Sequence, residues 1–444
     1  MYYRICILIG KIIILLAKLF KRGSVLPGKI VLKLNKNMLK HFKLPKTVIA
    51  VTGSSGKGSC SSVIAKIFRD QGYTVAHNIS GSNLTTGITT LLLNRCKING
   101  KIKDDVLVLE VDERYTKYIF KDIKPGIVVI TNVTRDQPPR QGHFDFVSKE
   151  IQKALTKDMT LVINGDEPYL RKFNSNKIVY YGIEKDKYAY TENKFENLNI
   201  NYCPNCGKKL EYNYYHIETC GDYYCTSCDF KRPKIDFSAT KIDYDKSIIT
   251  INDKYEMKSP YNMLFGIYNM LACFTVTSIC KLDEKKALET IANLEANKKL
   301  FKTFDYKNRK VTILNNKNEN SSTFNQSLWY LNRDTEKKSI IIGWKEISRR
   351  YEYDDLSWLY DINFELLNDK NVDKIVCCGI QAYDIAVRLK LAGIDTNKII
   401  TIIELKDAVE YLKEKTKGNI YAVVNFDYVL PFNEYMNGSE NKWK

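Results

Sequence analysis

A short apolar run, Thr47–Thr52 (TVIAVT), ends in Gly53-Ser54-Ser55-Gly56-Lys57-Gly58-Ser59, and apolar residues then recur at Val63, Ile64, Ile67 and Phe68. The run reads as a buried strand and the spacing after it as a helix. This strand–glycine loop–helix unit constrains the fold more than any other part of the chain. Glycines let a backbone turn tightly and approach an anion closely. Amides at the start of the following helix point at that anion, and the helix dipole favours it. Lys57 is spaced to reach the β- and γ-phosphates of a nucleotide, and Ser59 offers its hydroxyl to Mg²⁺. The pattern departs from G-x-x-x-x-G-K-[ST]: the glycines are closer together, and Gly58 separates Lys57 from Ser59. A glycine-rich turn without a ligand is the plainer reading. The strand before, the helix after and Lys57 in place disfavour it.

Further apolar runs at Val106–Val111, Ile127–Thr131, Thr160–Ile163 and Ile178–Tyr181 alternate with helical stretches. Such alternation predicts an α/β fold with a mostly parallel sheet covered on both faces. Strand-like sequence resumes over 240–258. A second set of strands follows at Val311–Leu314, Ser339–Ile342, Lys374–Cys377, Lys398–Ile403 and Asn419–Val424. A chain of 444 residues is also too long for one core. The expected division is a basic, apolar helical leader over 1–44, an ATP-binding domain over 45–299 and a Rossmann-like α/β domain over 300–444. There is no internal repeat and no low-complexity segment.

Residues 200–232 interrupt the first domain. Cys203-Pro204-Asn205-Cys206 is followed, 18 residues later, by Cys225-Thr226-Ser227-Cys228. Two C-x-x-C knuckles at this spacing predict a zinc ribbon with four thiolate ligands, and a site with four protein ligands is structural. Cys220 and His216 lie between the knuckles and are read as non-ligands because the quartet is complete. A redox C-x-x-C is the competing reading, and the pairing of two motifs disfavours it. The remaining eight of the twelve cysteines are scattered, mostly among apolar residues, and no secretory cleavage site is visible. A reduced, cytoplasmic protein is expected.

The formal net charge of +18 is uneven: residues 1–50 hold eleven Lys or Arg and no acid, the first being Asp70. A basic end attracts phosphate or an anionic membrane surface, although a solvated basic face is commoner. No base-reading module is apparent, so nucleic acid is not an expected partner. Ile5–Phe20 is strongly apolar, but Lys11 and Lys18 break it short of the roughly 20 residues of a membrane span. As a helix it carries Arg4, Lys11 and Lys18 in one stripe. It can lie in a membrane interface or pack on the protein's own core, and the two readings weigh about evenly.

The loop's G-x-x-G-K core resembles the phosphate loop of the Mur ligases, and its G-K-G-S ending is more like the related folylpolyglutamate synthases. Other segments resemble the family in order and spacing: His77-Asn78-Ile79-Ser80-Gly81-Ser82-Asn83 before Thr86-Gly87-Ile88-Thr89, Glu110 with Asp112 and Glu113, Thr131-Asn132 before Arg135-Asp136-Gln137, Asn164-Gly165-Asp166-Glu167-Pro168, and Tyr268-Asn269-Met270-Leu271-Ala272. Within the family, the ribbon insert and these segments are most similar to the MurT-type subunits of lipid II isoglutaminyl synthase. The resemblance implies ATP on Gly53, Ser54, Ser55, Gly56, Lys57, Gly58 and Ser59 with Asn132, adenine beside Asn269, Mg²⁺ held by Ser59 and Glu110, and Zn²⁺ on Cys203, Cys206, Cys225 and Cys228. It implies amidation of the D-glutamate α-carboxylate of lipid II through an acyl phosphate, with ammonia from a GatD-like glutaminase partner.

No glutaminase domain is visible here, since a glutaminase needs a Cys with a nearby His and no His lies beyond His216. Asp354–Glu365 resembles the segment whose Asp orients the glutaminase His in such complexes. That role falls best on Asp355, with Asp361 second; a capping or surface Asp is the bland alternative. Departures from the family pattern cluster in this half. Asn320-Ser321-Ser322-Thr323-Phe324-Asn325 lacks the family's Pro and Gly. The family's G-R has no clear match, leaving Lys298 or Lys299 as substitutes. Trp344–Tyr353 and Pro138–His143 also diverge. Two rival readings therefore stand beside amidation: a ligase that joins an amino acid, and a nucleotide-binding paralogue without activity.

Overall fold

The computed structural model describes residues 1–19, 25–78, 82–135, 144–194, 201–261, 263–294, 301–317, 320–345 and 355–437. Strand β1 (Thr47–Thr52) is an unbroken apolar run because both its faces are covered. Val48, Ile49, Ala50 and Val51 are all buried. It lies inside a sheet built with β2 (Val75–His77), β3 (Val106–Glu110), β4 (Ile127–Ile130), β5 (Thr160–Asn164) and β6 (Lys177–Ile183). The chain then leaves the sheet for a separate two-stranded hairpin, β7 (Glu211–Ile217) and β8 (Cys220–Tyr224). It returns as β9 (Phe237–Asp243), β10 (Ile248–Ile251) and β11 (Tyr255–Lys258).

The nine strands run in the order β11-β10-β9-β6-β5-β4-β1-β3-β2. Pairing is parallel from β2 to β9 and antiparallel between β9, β10 and β11. The run at 240–258 thus folds as a meander. Ser247, Asn252 and Asp253 make its turns with φ of 55°, 51° and 54°. One face of the sheet packs on the helices Lys57–Asp70 and Leu264–Ile279, through Cys60, Ile64, Met270, Leu271 and Phe274. The other packs on the helix Thr85–Arg95 and the amino-terminal helices.

The helix Tyr2–Leu19 packs one face on the protein's own core and leaves another exposed. Cys6, Ile7, Ile14 and Ala17 are buried against the protein, and Lys11 Nζ donates to the Leu93 carbonyl at 2.8 Å. The opposite stripe, Ile5, Leu8, Ile12, Leu15 and Leu16, faces outward, with Leu15 65% exposed. No described helix is long and apolar enough to cross a membrane.

A second sheet holds β12 (Phe301–Tyr306), β13 (Arg309–Asn316), β14 (Lys338–Trp344), β15 (Val372–Gly379), β16 (Ile399–Thr401) and β17 (Asn419–Asn425), in the order β12-β13-β17-β14-β15-β16. Only the β12–β13 hairpin is antiparallel. Helices Ser321–Asn332, Ala382–Leu391, Leu405–Lys415 and Phe426–Asn437 cover it. The expected boundary at 299/300 lies outside the described residues.

Candidate active site and metal cluster

A cleft of about 770 Å³ opens between the two sheet units, at the carboxyl ends of the first sheet's central strands. Its first wall is the glycine loop. Gly53 has φ +128°, and a Cβ there would lie 2.3 Å from Thr131 Oγ1. Gly56 has φ +81°, and its Cβ would lie 2.6 Å from Asn269 Oδ1. Both positions therefore demand glycine. Gly58 has a different reason. A Cβ there would come within 3.2 Å of Glu110 Oε2, so this unusual glycine lets the Glu110 carboxylate face the start of the helix.

Several polar groups on this wall hold one another. Asn132 Oδ1 accepts from the Ser55 amide at 3.0 Å and its Nδ2 donates to the Ser55 carbonyl at 3.1 Å, so Asn132 shapes the loop. Asn83 Nδ2 donates to Glu110 Oε1 at 2.9 Å, and Asn78 exchanges two hydrogen bonds with the Glu110 backbone. Lys57 is buried and pairs with Glu113 at 2.7 Å. Its Nζ also reaches the Gly53 carbonyl. Ser59 and Asn269 line the cleft. An oxygen donor set of Glu110 and Ser59 beside the glycine loop suits Mg²⁺, which prefers few protein ligands plus phosphate.

The second unit supplies Asn315, Asn316, Lys317, Thr323 and Phe426. Lys317 Nζ donates to the Ser54 carbonyl at 3.0 Å, which brings a second lysine to the loop. Sequence reasoning missed Lys317 and sought a cation at Lys298 or Lys299, which lie outside the described residues. So do Ile79 to Gly81, Asp136 to His143 and Glu346 to Asp354. The segment Asn320–Asn325, which lacks the family's Pro and Gly, is well formed locally. It begins the helix Ser321–Asn332, with Asn320 Oδ1 accepting from the Thr323 amide at 3.0 Å as an ordinary cap.

Glu167 and Glu218 form part of the cleft lining. Burial pushes the Glu167 carboxyl up to about 8, against hydrogen bonds from Cys220 and Thr219 that lower it. Burial raises Glu218 to about 6, opposed by donors on Asn325 and Ser322. Both follow from removing a carboxylate from water without a cation beside it.

In the ribbon, the four sulfurs of Cys203, Cys206, Cys225 and Cys228 all lie within 4.8 Å of one another. Cys203 Sγ is 3.6 Å from Cys228 Sγ, and Cys206 Sγ is 3.5 Å from Cys225 Sγ. Zn–S bonds of about 2.3 Å in a tetrahedron give sulfur spacings of about 3.8 Å, so the cluster fits a four-thiolate zinc site. The two other candidates are engaged elsewhere: Cys220 Sγ lies 3.4 Å from Glu167, and His216 Nε2 lies 2.9 Å from the Ile183 carbonyl.

The two aspartates differ. Asp361 pairs with Arg135 at 2.9 Å across the seam between the units. Asp355 Oδ1 accepts from the Ser357 amide at 2.9 Å, just before the short turn Ser357–Asp361.

Comparison with known proteins gives a consistent picture. The Mur ligase middle domain family matches residues 51–277, and the MurT ligase C-terminal family matches residues 318–428. The chain is similar to the lipid II isoglutaminyl synthase (glutamine-hydrolyzing) subunit MurT of Staphylococcus aureus, with 30% identity over 94% of each chain. The corresponding Streptococcus pneumoniae subunit is 28% identical over 94% of this chain and 92% of its own. Among solved structures, a pseudomurein peptide ligase type C from Methanothermus fervidus superposes with a TM-score of 0.67 at 22% identity, covering 91% of this chain and 84% of that one. MurF ligase from Thermotoga maritima in complex with ADP gives 0.60 at 19% identity, covering 92% and 83%. Those two share the fold.

Proposed function

The chain belongs to the Mur ligase family, and on that premise we propose that it amidates the glutamate α-carboxylate of a lipid-linked stem peptide. Its similarity along 94% of its length to subunits that bear the isoglutaminyl synthase name carries this reading. ATP lies along Gly53–Ser59, with its phosphates on the loop amides and its adenine toward Asn269. Lys57 and Lys317 approach the phosphates from the two units. Mg²⁺ held by Ser59 and Glu110 supplies charge neutralisation at the transferring phosphate. The acceptor carboxylate takes the γ-phosphoryl group, leaving ADP and an acyl phosphate. Ammonia then adds to the acyl carbon, phosphate leaves, and one proton is lost to give the primary amide. The lysines stabilise charge where it develops, inside a cleft that excludes water when the units close.

The ammonia comes from a glutaminase partner that docks on the second unit. Tyr383, Val387 and Leu391 form an outward apolar row on the helix Ala382–Leu391, with Val387 55% exposed. Arg388 ties this helix to the exposed Tyr360 ring, 5.8 Å from its centroid. Asp355 lies at the edge of that turn. It is the better candidate than Asp361 for orienting a partner histidine, because Asp361 is held in the seam by Arg135. The outward stripe of the helix Tyr2–Leu19, in a stretch of eleven basic residues and no acid, suits an anionic membrane surface. This reading has the protein in the cytoplasm at the inner face of the membrane, where a lipid-linked substrate is found.

The test is phosphate release from ATP–Mg²⁺ with lipid II and a panel of amines. Release that requires both lipid II and ammonium supports amidation. Release with an amino acid but not ammonium transfers the assignment to an amino-acid ligase. No release with any amine makes the chain a nucleotide-binding paralogue.

A further inference from the structure

The ligase step described above gives the cysteine ribbon no task. Its hairpin has two ends. At one, β7 and β8 run into the sulfur cluster; at the other, they meet in the turn Ile217–Cys220, where Glu218 has φ 51°. The cluster end projects from the first unit, whereas the turn end reaches the cleft, where Glu218 and Cys220 form part of the lining.

The turn end is fastened on both sides. Toward the first unit, Thr219 Oγ1 and Cys220 Sγ meet the Glu167 carboxyl at 3.3 and 3.4 Å. The Gly221 amide donates to the Asp166 carbonyl at 2.9 Å, and Tyr223 Oη donates to the Gly165 carbonyl at 3.1 Å. Toward the second unit, the Glu218 carboxyl accepts from Asn325 Nδ2 at 2.7 Å and from Ser322 Oγ at 3.1 Å. Both donors are on the helix Ser321–Asn332, whose Thr323, Gln326 and Ser327 line the cleft. Asn325 continues the link: its Nδ2 donates to the Asp361 carbonyl at 3.0 Å, and its Oδ1 accepts from the Asn363 amide at 2.7 Å. A buried carboxyl is tolerated only where donors meet it, so this contact specifies one closure geometry more than it adds net stability. Ser322, part of the segment that departs from the family pattern, supplies one of the two donors.

We propose that the ribbon's hairpin turn is a positioning element for the ligase step, with Glu218 setting the angle at which the second unit closes over the nucleotide. The cysteine cluster anchors the far end of the same hairpin and keeps it stiff. Glu218 touches no reacting atom in this scheme. It acts through the helix Ser321–Asn332 and hence through the wall that faces ATP.

The kinetic arm of the test rests on the proposed amidation; the scattering arm does not. Full-length Glu218→Ala, Ser322→Ala, the double variant and Glu218→Gln are compared for zinc content, melting, kcat, KM for ATP, and X-ray scattering with ADP and Mg²⁺. Loss of a hydrogen-bonded buried carboxyl predicts a fall in kcat of about tenfold in Glu218→Ala, with zinc content, melting and KM near wild type. Scattering shows a more extended particle. Glu218→Gln, which keeps an acceptor, restores most of kcat, and the double variant is no worse than Glu218→Ala alone. Wild-type kcat with wild-type scattering in Glu218→Ala overturns the proposal, as do additive losses in the double variant. Should Glu218→Ala not fold, Ser322→Ala decides: a smaller fall of the same kind supports the proposal and none overturns it. Should no amide form with any variant, unchanged scattering alone overturns it.

Discussion

In the first sheet unit, the polar groups at the cleft hold one another: Lys57 with Glu113, Asn132 with Ser55, Asn83 with Glu110. Among the described residues, the second unit brings one lysine, Lys317, and a few neutral groups to the same space, and turns its exposed apolar row, Tyr383, Val387 and Leu391, away from it. A wall whose dipoles and charges are already fixed suits the phosphate chemistry proposed for it. The second unit meets it along a seam that includes Arg135–Asp361, Glu218–Asn325 and the Tyr190 ring against Trp329, and it leaves its outward helix free to be approached, as the proposed division of labour requires. Substitutions in the two units therefore have separable consequences.

The largest expected effect lies in the first unit. Lys57→Ala removes the buried cation at the phosphate loop, and phosphate release falls by about 10³-fold, as the loss of a preorganised transition-state partner does. Zinc content and partner binding stay at wild-type levels. A parallel loss of partner binding, seen by size-exclusion of the mixed subunits, breaks the comparison.

Next comes the ribbon. Cys203→Ser leaves three thiolates, so metal analysis finds less than one zinc per chain, and melting drops by about 5–10 °C as a metal-linked element loosens. Unchanged zinc content in Cys203→Ser contradicts the four-thiolate assignment.

The outward faces come third. Val387→Glu weakens binding of the glutaminase partner by about 100-fold, the scale of an interface anchor, while ammonium-driven activity is unchanged. Leu15→Glu lowers flotation with anionic liposomes and leaves partner binding alone. Equal flotation of Leu15→Glu and the native chain removes the membrane face from the account.

The smallest effect is on pH dependence. The Glu167 carboxyl is raised from 4.5 to about 8 by burial. In that window the folded state holds a proton that the unfolded state has lost. Its contribution is full below pH 4.5 and is lost as pH rises through about 8. Melting therefore declines between about pH 4.5 and 8 and levels off above that, and Glu167→Gln, which is always neutral, flattens that slope. An identical slope in the variant assigns the pH dependence to other groups.

How much of this was legible in the sequence follows from range. Strand β3 was expected at Val106–Val111 and runs from Val106 to Glu110, because a strand buried on both faces leaves an unbroken apolar run. The strand–glycine loop–helix unit and the clustering of the two knuckles were legible because each is written in consecutive residues. The partner of Lys57 was not, since Glu113 lies 56 residues away and no local period connects them. Glu218 and Asn325 are 107 residues apart and meet only when both units are folded. Lys317 escaped notice as one lysine among many at a strand end. Apart from its basic stripe the helix Tyr2–Leu19 is apolar, so its pattern could not say which apolar face packs, and the fold uses one and leaves the other outward.

The measurement that bears most directly on the central claim is mass spectrometry of lipid II after incubation with the purified chain, ATP, Mg²⁺ and ammonium chloride. The account predicts a product whose mass differs by replacement of one hydroxyl by one amino group, with fragmentation assigning the change to the glutamate α-carboxyl and one phosphate released per amide. Unmodified lipid II beside bound, unhydrolysed ATP, or a product carrying an added amino acid instead, contradicts it.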